Sequence, residues 1–396
     1  MNSSFLTYLK SIPYPVWIIA LTHGCVDLTA GAFYVALPFI KMNFNLSYSE
    51  VTAIVLVQSL TSSIVQPLFG YFSDKYPRPW FMAVGCLITG LTLPFLFFAP
   101  SYPMIFLFTA INGLGSAAFH PMGAKTTNLV AGTEKGKSLS IFSVAGSAGL
   151  VLGSLFIALL LIGGISWRIW LYPIPAFIVA FLMFRLIPDL PKFETKVSSE
   201  KASSLNQYLN LSIFSFLGMM FTRATISTGI TTFVPLYYIA YLHGNPLFVS
   251  VILSVYQAFG VLGTLIGGVM SDRYGSRRVM LYSILPICLT LFLFQHTSHI
   301  VLMMATLSIS SLLLSSTTTS SLILIQRLMP NNLALASGIN LGFSSGLSAL
   351  GVLMLGIVAD RSGLPEVFLI LTLLPIAGFC LTLLIKEPKP TIIQES

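Results

Sequence analysis

The chain has 396 residues, of which 55% are hydrophobic and only 8% are charged, and its mean hydropathy is +0.89. Soluble domains carry about 25% charged residues, so this composition excludes a water-soluble enzyme. The formal charge of +8 does not indicate a nucleic-acid partner, because the 20 Lys and Arg are scattered through apolar sequence. The composition predicts a helical membrane protein with many spans in the lipid bilayer.

Twelve apolar segments follow one another along the chain, and a helix needs roughly 20 such residues to cross a bilayer. Charges, prolines or glycines bound them at approximately 14–40, 48–72, 80–99, 102–129, 138–163, 167–187, 207–240, 246–270, 279–296, 300–326, 333–359 and 364–385. We therefore predict an all-α membrane protein with twelve transmembrane helices, numbered here in chain order. Pro38, Pro67, Pro121 and Pro235 fall inside predicted helices and are expected to kink them.

An internal repeat divides the chain into two halves. GYFSDKYPRPW begins at Gly70 and GVMSDRYGSRR begins at Gly268, and 268 − 70 = 198, which is half the chain length. The longest polar stretch lies between the copies. We predict two pseudo-symmetric six-helix bundles, 1–187 and 207–396, joined by a cytoplasmic linker at 188–206. Repeated bundles with a site between them are typical of secondary transporters.

The distribution of basic residues predicts the orientation in the membrane, because Lys and Arg concentrate on cytoplasmic connections. Only Lys41, Arg168 and Arg361 fall on the odd-numbered connections. Fifteen fall on the termini and the even-numbered connections: Lys10, Lys75, Arg78, Lys135, Lys137, Arg185, Lys192, Lys196, Lys201, Arg273, Arg277, Arg278, Arg327, Lys386 and Lys389. Both termini are therefore expected in the cytoplasm. Short loops favour a bacterial inner membrane, and we expect a monomer.

Ionisable residues inside membrane segments are costly and therefore indicate function. His23 and Asp27 lie four residues apart in helix 1, so they share one face and a proton can pass between them. His120 precedes Pro121 in helix 4, where an interrupted helix would expose a titratable group. We predict that Asp27, His23 and His120 couple transport to protons. The alternatives are a structural His–Asp pair and a buried His120 that is satisfied by a backbone carbonyl.

Helix 7 carries Arg223 at a depth similar to that of Asp27, with Ser227 on the same face. Arg223 is either the counter-ion of Asp27 or the anchor of an anionic substrate group, unless it extends to the cytoplasmic surface. For Lys125 in helix 4 two interpretations are open: it anchors an anionic substrate group, or its side chain extends to the cytoplasmic surface. We assign substrate binding to Arg223, Lys125, Tyr34 and Ser227.

Two stretches of small residues predict helix packing. Gly146, Gly149 and Gly153 favour close approach of helix 5 to a neighbour. Helix 10 contains Ser315–Ser321, whose seven hydroxyls either line a polar cavity or bond to carbonyls one turn back.

Other chemistries lack their sequence motifs. The four cysteines are isolated within apolar segments, so we expect no metal and no cofactor. The chain contains no GxxxxGK[ST] and no HExxH, which argues against an ATP-driven pump and against a zinc-dependent membrane enzyme.

The loop after helix 8 resembles the signature loop of the major facilitator superfamily. The first copy of the repeat resembles it less, because Pro77 stands where that family has glycine. The resemblance implies that both loops gate a rocking transition and that substrate and ion bind near mid-membrane on helices 1, 4, 7 and 10. The expected gating residues are Gly70, Asp74, Lys75, Arg78, Gly268, Asp272, Arg273 and Arg277. A third GxxxDR, at 356–361, is interpreted as chance.

Within that superfamily, residues 20–155 resemble the fosmidomycin-resistance branch. The resemblance rests on His23 and Asp27, on FHPMGA from Phe119, and on AGTEKGKSLSIFSVAGSAG from Ala131. It implies a proton-coupled antiporter that exports a small organic compound, and the basic side chains above favour an anionic one. Two alternatives stay open: a proton symporter that imports a small organic solute or a metal chelate, and an uncoupled lipid flippase.

Overall fold

The computed structural model describes residues 12–76, 78–190, 210–242, 244–330, 336, 339–340 and 344–386. Most of the predicted linker 188–206 lies outside the described residues, as do Pro77 and the side chain of Asp74. In the described part of the chain, eleven helices are long and apolar enough to cross a membrane. The predicted all-α membrane fold is confirmed.

Twelve helices in the described residues, the eleven above and Ser344–Ser362, follow the order of the predicted segments. Their bounds are α1 Tyr14–Asn43, α2 Tyr48–Ser73, α3 Trp80–Phe97, α4 Tyr102–Val130, α5 Lys135–Leu160, α6 Trp167–Asp189, α7 Leu211–Ile239, α8 Leu247–Tyr274, α9 Ser276–Gln295, α10 Ile300–Leu328, α11 Ser344–Ser362 and α12 Leu364–Leu384. Helix α11 is the described part of the predicted segment 333–359, whose first residues lie mostly outside the described ranges.

Several helices change their hydrogen-bond pattern beside proline. In α2 a π-helical turn, Leu60–Ile64, precedes Pro67, and in α7 the π-helical turn Tyr237–Tyr241 follows Pro235. Helix α9 is interrupted before Pro286, where a helix over Ser276–Ile284 gives way to one over Ile287–Gln295. Helix α4, in contrast, is assigned as helix on both sides of Pro121. The missing N–H of proline explains why these helices depart from regular α geometry.

The chain forms two compact units. The first comprises Met1–Ser198, Gly229–Ala258 and Val352–Leu364, and the second comprises Ser199–Thr228, Phe259–Gly351 and Pro365–Ser396. Segments of α7, α8 and α11 thus belong to the first unit, together with the N-terminal helices. The predicted bundle boundaries, 1–187 and 207–396, stay a prediction.

In the first unit, α1 is the central helix and packs most extensively on α5. Glycines permit this contact. A Cβ atom on Gly149 would collide with the backbone carbonyl of Gly24, and one on Gly153 would collide with that of Leu28. The predicted close approach of α5 is confirmed. Because backbone meets backbone here, α1 and α5 hold their side chains in a fixed relative register.

In the second unit, α10 packs on both parts of α9. Three pairs of buried hydroxyls join α10 to its neighbours. They are Thr290 with Ser310 at 2.6 Å, Ser283 with Ser316 at 2.8 Å and Ser271 with Ser320 at 2.6 Å. Such side-chain hydrogen bonds hold helices together where no water competes.

Candidate functional site

A carboxylate between two imidazoles forms the centre of the candidate site. Asp27 Oδ2 lies 3.2 Å from His23 Nε2, on the same face of α1, and Asp27 Oδ1 lies 3.2 Å from His120 Nε2, which α4 supplies. The three side chains are largely buried, with exposed fractions of 10% for His23, 16% for Asp27 and 26% for His120. The structure therefore brings the three predicted proton-coupling residues together.

The other ring nitrogen of each histidine is fixed by a backbone carbonyl. His23 Nδ1 lies 2.7 Å from the carbonyl oxygen of Phe142, and His120 Nδ1 lies 2.8 Å from that of Ser116. A carbonyl only accepts hydrogen bonds, so each Nδ1 carries the hydrogen and donates it. Each Nε2 therefore carries no hydrogen in the neutral ring, and both face the carboxylate of Asp27.

This tautomer leaves no hydrogen between Asp27 and either imidazole. With both imidazoles neutral and Asp27 ionised, three acceptor groups would face one another at 3.2 Å and repel. One proton turns one of these contacts into a charge-assisted hydrogen bond, and a second proton does the same for the other. The net charge of the cluster then passes from −1 through 0 to +1.

Neighbouring residues make room for the cluster and orient it. A Cβ atom on Gly146 would lie 2.5 Å from His23 Cε1 and 2.7 Å from Asp27 Oδ2, so only glycine fits there. The His23 ring stacks on Phe142, with ring centroids 4.0 Å apart. Pro121 leaves the carbonyl of Ala117 without its helical donor, but the ring of His120 bonds instead to the preceding carbonyl, that of Ser116.

The donor set also has the composition of a small cation site. His23, Asp27 and His120 each offer one ligand atom, and these atoms lie within 4.8 Å of one another. Imidazole nitrogen and carboxylate oxygen are ligands that zinc accepts. Our expectation that the protein uses no metal and no cofactor stays a prediction.

The other predicted substrate residues of the first unit lie apart from this cluster. Lys125 Nζ donates to the carbonyl of Ser73, 3.2 Å away, at the end of α2 that carries the first repeat motif. Tyr34 forms a side-chain hydrogen bond with Thr231. Lys125 thus lies beside a predicted gating loop. Tyr34 joins α1 to Thr231 of α7, which belongs to the same unit.

In the second unit, Arg223 makes the corresponding contact between α7 and α10. Its Nη1 donates to Thr318 Oγ1 at 3.0 Å. Thr318 occurs 198 residues after His120, which is the offset of the repeat. Each half of the sequence thus places an ionised group of its first helix beside a polar side chain of its fourth. Ser227 lies one helical turn beyond Arg223 on α7.

Most hydroxyls of the Ser/Thr-rich stretch in α10 serve packing. Thr317 and Ser321 donate to carbonyls within α10, and Thr319 donates to the carbonyl of Thr264 in α8. Ser316 and Ser320 form two of the interhelical pairs described above. Bonding to carbonyls within the helix, one of the two uses left open by the sequence, therefore occurs, whereas the lining of a polar cavity stays a prediction. Within this stretch, Thr318 contacts a charged group, that of Arg223.

The two repeat motifs make the same packing contact. A Cβ atom on Gly70 would lie 3.8 Å from Pro121 Cβ, and one on Gly268 would lie 3.5 Å from Thr319 Cγ2. Positions 121 and 319 differ by 198, as positions 70 and 268 do. The repeat is therefore structural as well as sequential.

Among the predicted gating residues, Arg277 has the most specific contacts. Its Nε and Nη2 donate to the carbonyls of Thr382 and Leu383, at 3.2 and 2.8 Å, where a cation stabilises the end of helix α12. The ammonium of Lys75 lies over the ring of Tyr76, and the guanidinium of Arg273 lies over that of Tyr274. Asp272 and Arg78 are exposed.

Two features escaped the sequence analysis. Asn112 forms a buried network in which its amide donates to the carbonyl of Thr89 at 2.9 Å and to Thr92 Oγ1 at 2.7 Å, and Gln58 donates to Asn112 at 3.1 Å. Asp360, in the GxxxDR interpreted as chance, bonds to backbone amides at the start of α2. The motif itself was the available signal for Asp360, whereas uncharged Asn and Gln give no comparable one.

Comparisons with known proteins agree with the fold. The sequence model of the Major Facilitator Superfamily matches residues 19–239 and 211–395. An uncharacterized MFS-type transporter, YfnC of Bacillus subtilis (strain 168), is 29% identical over 95% of this chain and 94% of its own. The fosmidomycin resistance protein of Escherichia coli (strain K12) is 27% identical over 94% of this chain and 92% of its own.

Solved structures show the same architecture at low sequence identity. A bacterial homolog to the human lysosomal transporter Spinster, in an inward-facing and occupied conformation, has a TM-score of 0.80 at 13% identity and covers 96% of this chain and 98% of its own. The nucleoside transporter NupG has a TM-score of 0.75 at 15% identity, over 95% of this chain and 100% of its own. These relatives are transporters rather than enzymes. The chain belongs to the major facilitator superfamily, as a multi-pass membrane transporter of small molecules.

Proposed function

We propose that the protein is a proton-coupled antiporter that exports a small organic, anionic compound by alternating access. The observation that carries the proposal is the cluster of His23, Asp27 and His120, in which three acceptor groups face one another and require protons. A largely buried cluster that can hold protons suits a carrier that loads and releases them during its cycle.

Exchange requires that substrate and proton compete for the same site. Hydroxyl or N–H groups of a substrate would satisfy the same Nε2 and carboxylate acceptors that protons satisfy, so binding of one would displace the other. Linkage makes this competition reciprocal: a substrate that expels the proton is itself expelled when the proton returns. An inward proton gradient would then drive the substrate out, with about 2.3 kcal/mol available for each charge that crosses 100 mV.

The anionic preference rests on fixed positive charge. Arg223 stays protonated at any working pH and presents its guanidinium beside Thr318. Lys125, Tyr34 and Ser227 are the further residues that we propose to contact substrate. The Escherichia coli relative is named for fosmidomycin resistance, which supports export of small organic compounds.

A proton symporter that imports its solute is the second candidate. In this case the anionic group of the solute would bind directly against the protonated, positively charged cluster and not at Arg223. It would then stabilise the bound protons rather than displace them, and solute and protons would cross the membrane together. A probable nitrate transporter, NarT of Staphylococcus epidermidis, is 24% identical over 67% of this chain, and its name describes an anion carrier.

We further propose that the protein works as a monomer in a bacterial inner membrane with both termini in the cytoplasm. The excess of Lys and Arg on one set of connections supports this orientation. The two loop motifs at Gly70 and Gly268 then lie on the cytoplasmic side, where they would gate the cavity.

Proton flux in proteoliposomes tests the coupling. A pH dye inside the vesicles reports on the lumen while fosmidomycin, and then a panel of organic phosphonates and carboxylates, is added outside. The comparison includes wild type, Asp27→Asn and, as a matched carboxylate control, Asp189→Asn, because Asp189 is exposed at the last residue of α6. Uptake of the same compounds is measured in parallel.

The direction of the pH change distinguishes the candidates. Antiport makes the lumen alkaline as substrate enters, whereas symport makes it acidic, and either signal should vanish in Asp27→Asn and persist in Asp189→Asn. Substrate uptake without any proton movement, equal in wild type and Asp27→Asn, would exclude coupling through this cluster and favour an uncoupled carrier or flippase.

A further inference from the structure

Helix α2 begins with a complete set of partners for its first backbone amides. Ser47 Oγ accepts from the Glu50 amide at 3.1 Å, and Glu50 Oε2 accepts from the Ser47 amide at 2.8 Å, which is a capping box. The two remaining amides, of Tyr48 and Ser49, donate to Oδ1 and Oδ2 of Asp360, at 2.7 and 2.8 Å. A side chain of α11 thus completes the N-terminus of α2.

The contact is electrostatically favourable as well as geometrically complete. The N-terminus of a helix carries a partial positive charge, and the ionised carboxylate of Asp360 lies directly on it. Both oxygens accept from separate amides, so the pair is bidentate and fixes the position of α11 on α2. A neutral amide side chain would keep one acceptor oxygen and lose the charge.

Below this contact, α11 approaches α2 closely. Gly356 lies one helical turn before Asp360, and a Cβ atom there would collide with Thr52 Oγ1. Thr52 in turn lies one turn after Tyr48 and is fully buried, with 0% exposure. Residues one turn apart share a helix face, so the capping contact and the glycine contact form a continuous seam between α11 and α2.

A second seam in the same unit joins α8 to α5. Ser254 Oγ donates to the carbonyl of Val151 at 2.9 Å, and Gln257 Nε2 donates to Ser154 Oγ at 3.1 Å. Segments of α8 and α11 therefore belong to the first unit, whereas the rest of each helix belongs to the second. If alternating access separates α11 from α2 at this end of the protein, the seam between them must break in each cycle.

We propose that Asp360 is a latch, which holds α11 against the start of α2 at the end of the protein that the charge bias places outside, and which must release before the cavity opens on that side. Asp360 is a positioning residue: it touches neither proton nor substrate in this role. The proposal rests on the transporter fold and does not depend on proton coupling.

Cysteine accessibility under the seam tests the latch. Thr52→Cys is introduced into a background with Cys288→Ser and Cys380→Ser, and the protein is labelled in nanodiscs with a water-soluble maleimide. Cys25 and Cys86 stay in place as an internal measure of folding, because both are buried, with exposures of 7% and 0%. The reporter is combined with Asp360→Asn, with Asp360→Glu, and with the neighbouring-charge control Arg361→Gln.

Loss of the latch should expose the cysteine introduced at position 52 without unfolding the protein. We expect labelling there to be at least tenfold faster in Asp360→Asn, equivalent to about 1.4 kcal/mol. Asp360→Glu, which keeps the charge, and Arg361→Gln should stay within threefold of the parent. An unchanged rate in Asp360→Asn would overturn the proposal, and so would labelling of Cys25 and Cys86 together with position 52, because the contact would then support the fold and not a gate.

Discussion

The tautomers of the two histidines are the residue-scale feature on which the proposed chemistry depends. Because the carbonyls of Phe142 and Ser116 accept from each Nδ1–H, the Nε2 atoms of His23 and His120 both face one carboxylate without a hydrogen between them. If the hydrogen of either neutral ring lay on Nε2 instead, that ring would donate to Asp27 and the contact would need no further proton. The proposal that the cluster carries protons therefore depends on how the backbone carbonyls orient the two rings.

Replacing His120 with glutamine tests whether the hydrogen bond to Asp27 is sufficient or whether the side chain at position 120 must also bind a proton. The side-chain amide of the glutamine would still donate to Asp27 but would carry no exchangeable charge. We expect His120→Gln to keep the thermal stability of the parent and to reduce substrate-driven proton flux at least tenfold, as measured in the proteoliposome assay. Normal flux in this variant would assign the proton to His23 and Asp27 alone.

Gly146 tests how tightly the cluster is packed. A methyl group there meets His23 and Asp27, so Gly146→Ala should displace both side chains and cost about 1–3 kcal/mol of stability. Gly136 lies in the first turn of the same helix, and a Cβ atom there would have nothing within 4 Å, so Gly136→Ala is the matched control. Thermal melting in detergent should fall for the first variant only, and equal melting would show that the site relaxes around the methyl.

At the scale of single helices, hydropathy predicts where a segment crosses the membrane but not where its helix begins. The predicted ninth segment starts at 279, whereas α9 starts at Ser276, because Arg277 and Arg278 are polar yet helical. Likewise the predicted fifth segment starts at 138, whereas α5 starts at Lys135. Basic first turns belong to the helix but not to the lipid core, so an apolar count omits them.

The candidate site was predictable only within one helix. The spacing of His23 and Asp27 gives their common face directly, whereas the contact between Asp27 and His120 depends on how α1 packs against α4. Asp360 was missed for a different reason: its GxxxDR motif was visible, but its partners are backbone amides, which nearly every residue possesses, so the sequence does not indicate which helix it contacts.

The contact between α7 and α10 predicts a role for one hydroxyl among many. Thr318→Val keeps the shape of the side chain but removes the acceptor of Arg223, and a hydrogen bond to a charged group is worth about 1.5–3 kcal/mol. We expect substrate affinity to fall about tenfold or more, measured as the half-saturating concentration for transport. Thr317→Val is the control, since Thr317 bonds only to the carbonyl of Leu314 among the contacts described. Equal effects of the two changes would argue against substrate binding at Arg223.

At the scale of the whole molecule, charge bias predicts orientation. Fusion of green fluorescent protein after residue 396 should fluoresce, and fusion of alkaline phosphatase there should be inactive, because both report a cytoplasmic terminus. Insertion of alkaline phosphatase after Ser362, in the connection between α11 and α12, should be active. The reverse pattern would place Asp360 in the cytoplasm and reassign its side of the membrane.

The same packing contact occurs in both halves of the protein, between Gly70 and Pro121 and between Gly268 and Thr319. The effect of a substitution in one half can therefore be compared with the effect of the equivalent substitution in the other. A substitution that acts only through packing should have matching consequences at both members of such a pair. A substitution that acts through proton binding should change transport only when it is made in the first half. The reason is that position 318 holds a threonine where position 120 holds a histidine. Substitutions made in pairs, one in each half, would therefore separate the effects of packing from the effects of proton binding within a single chain.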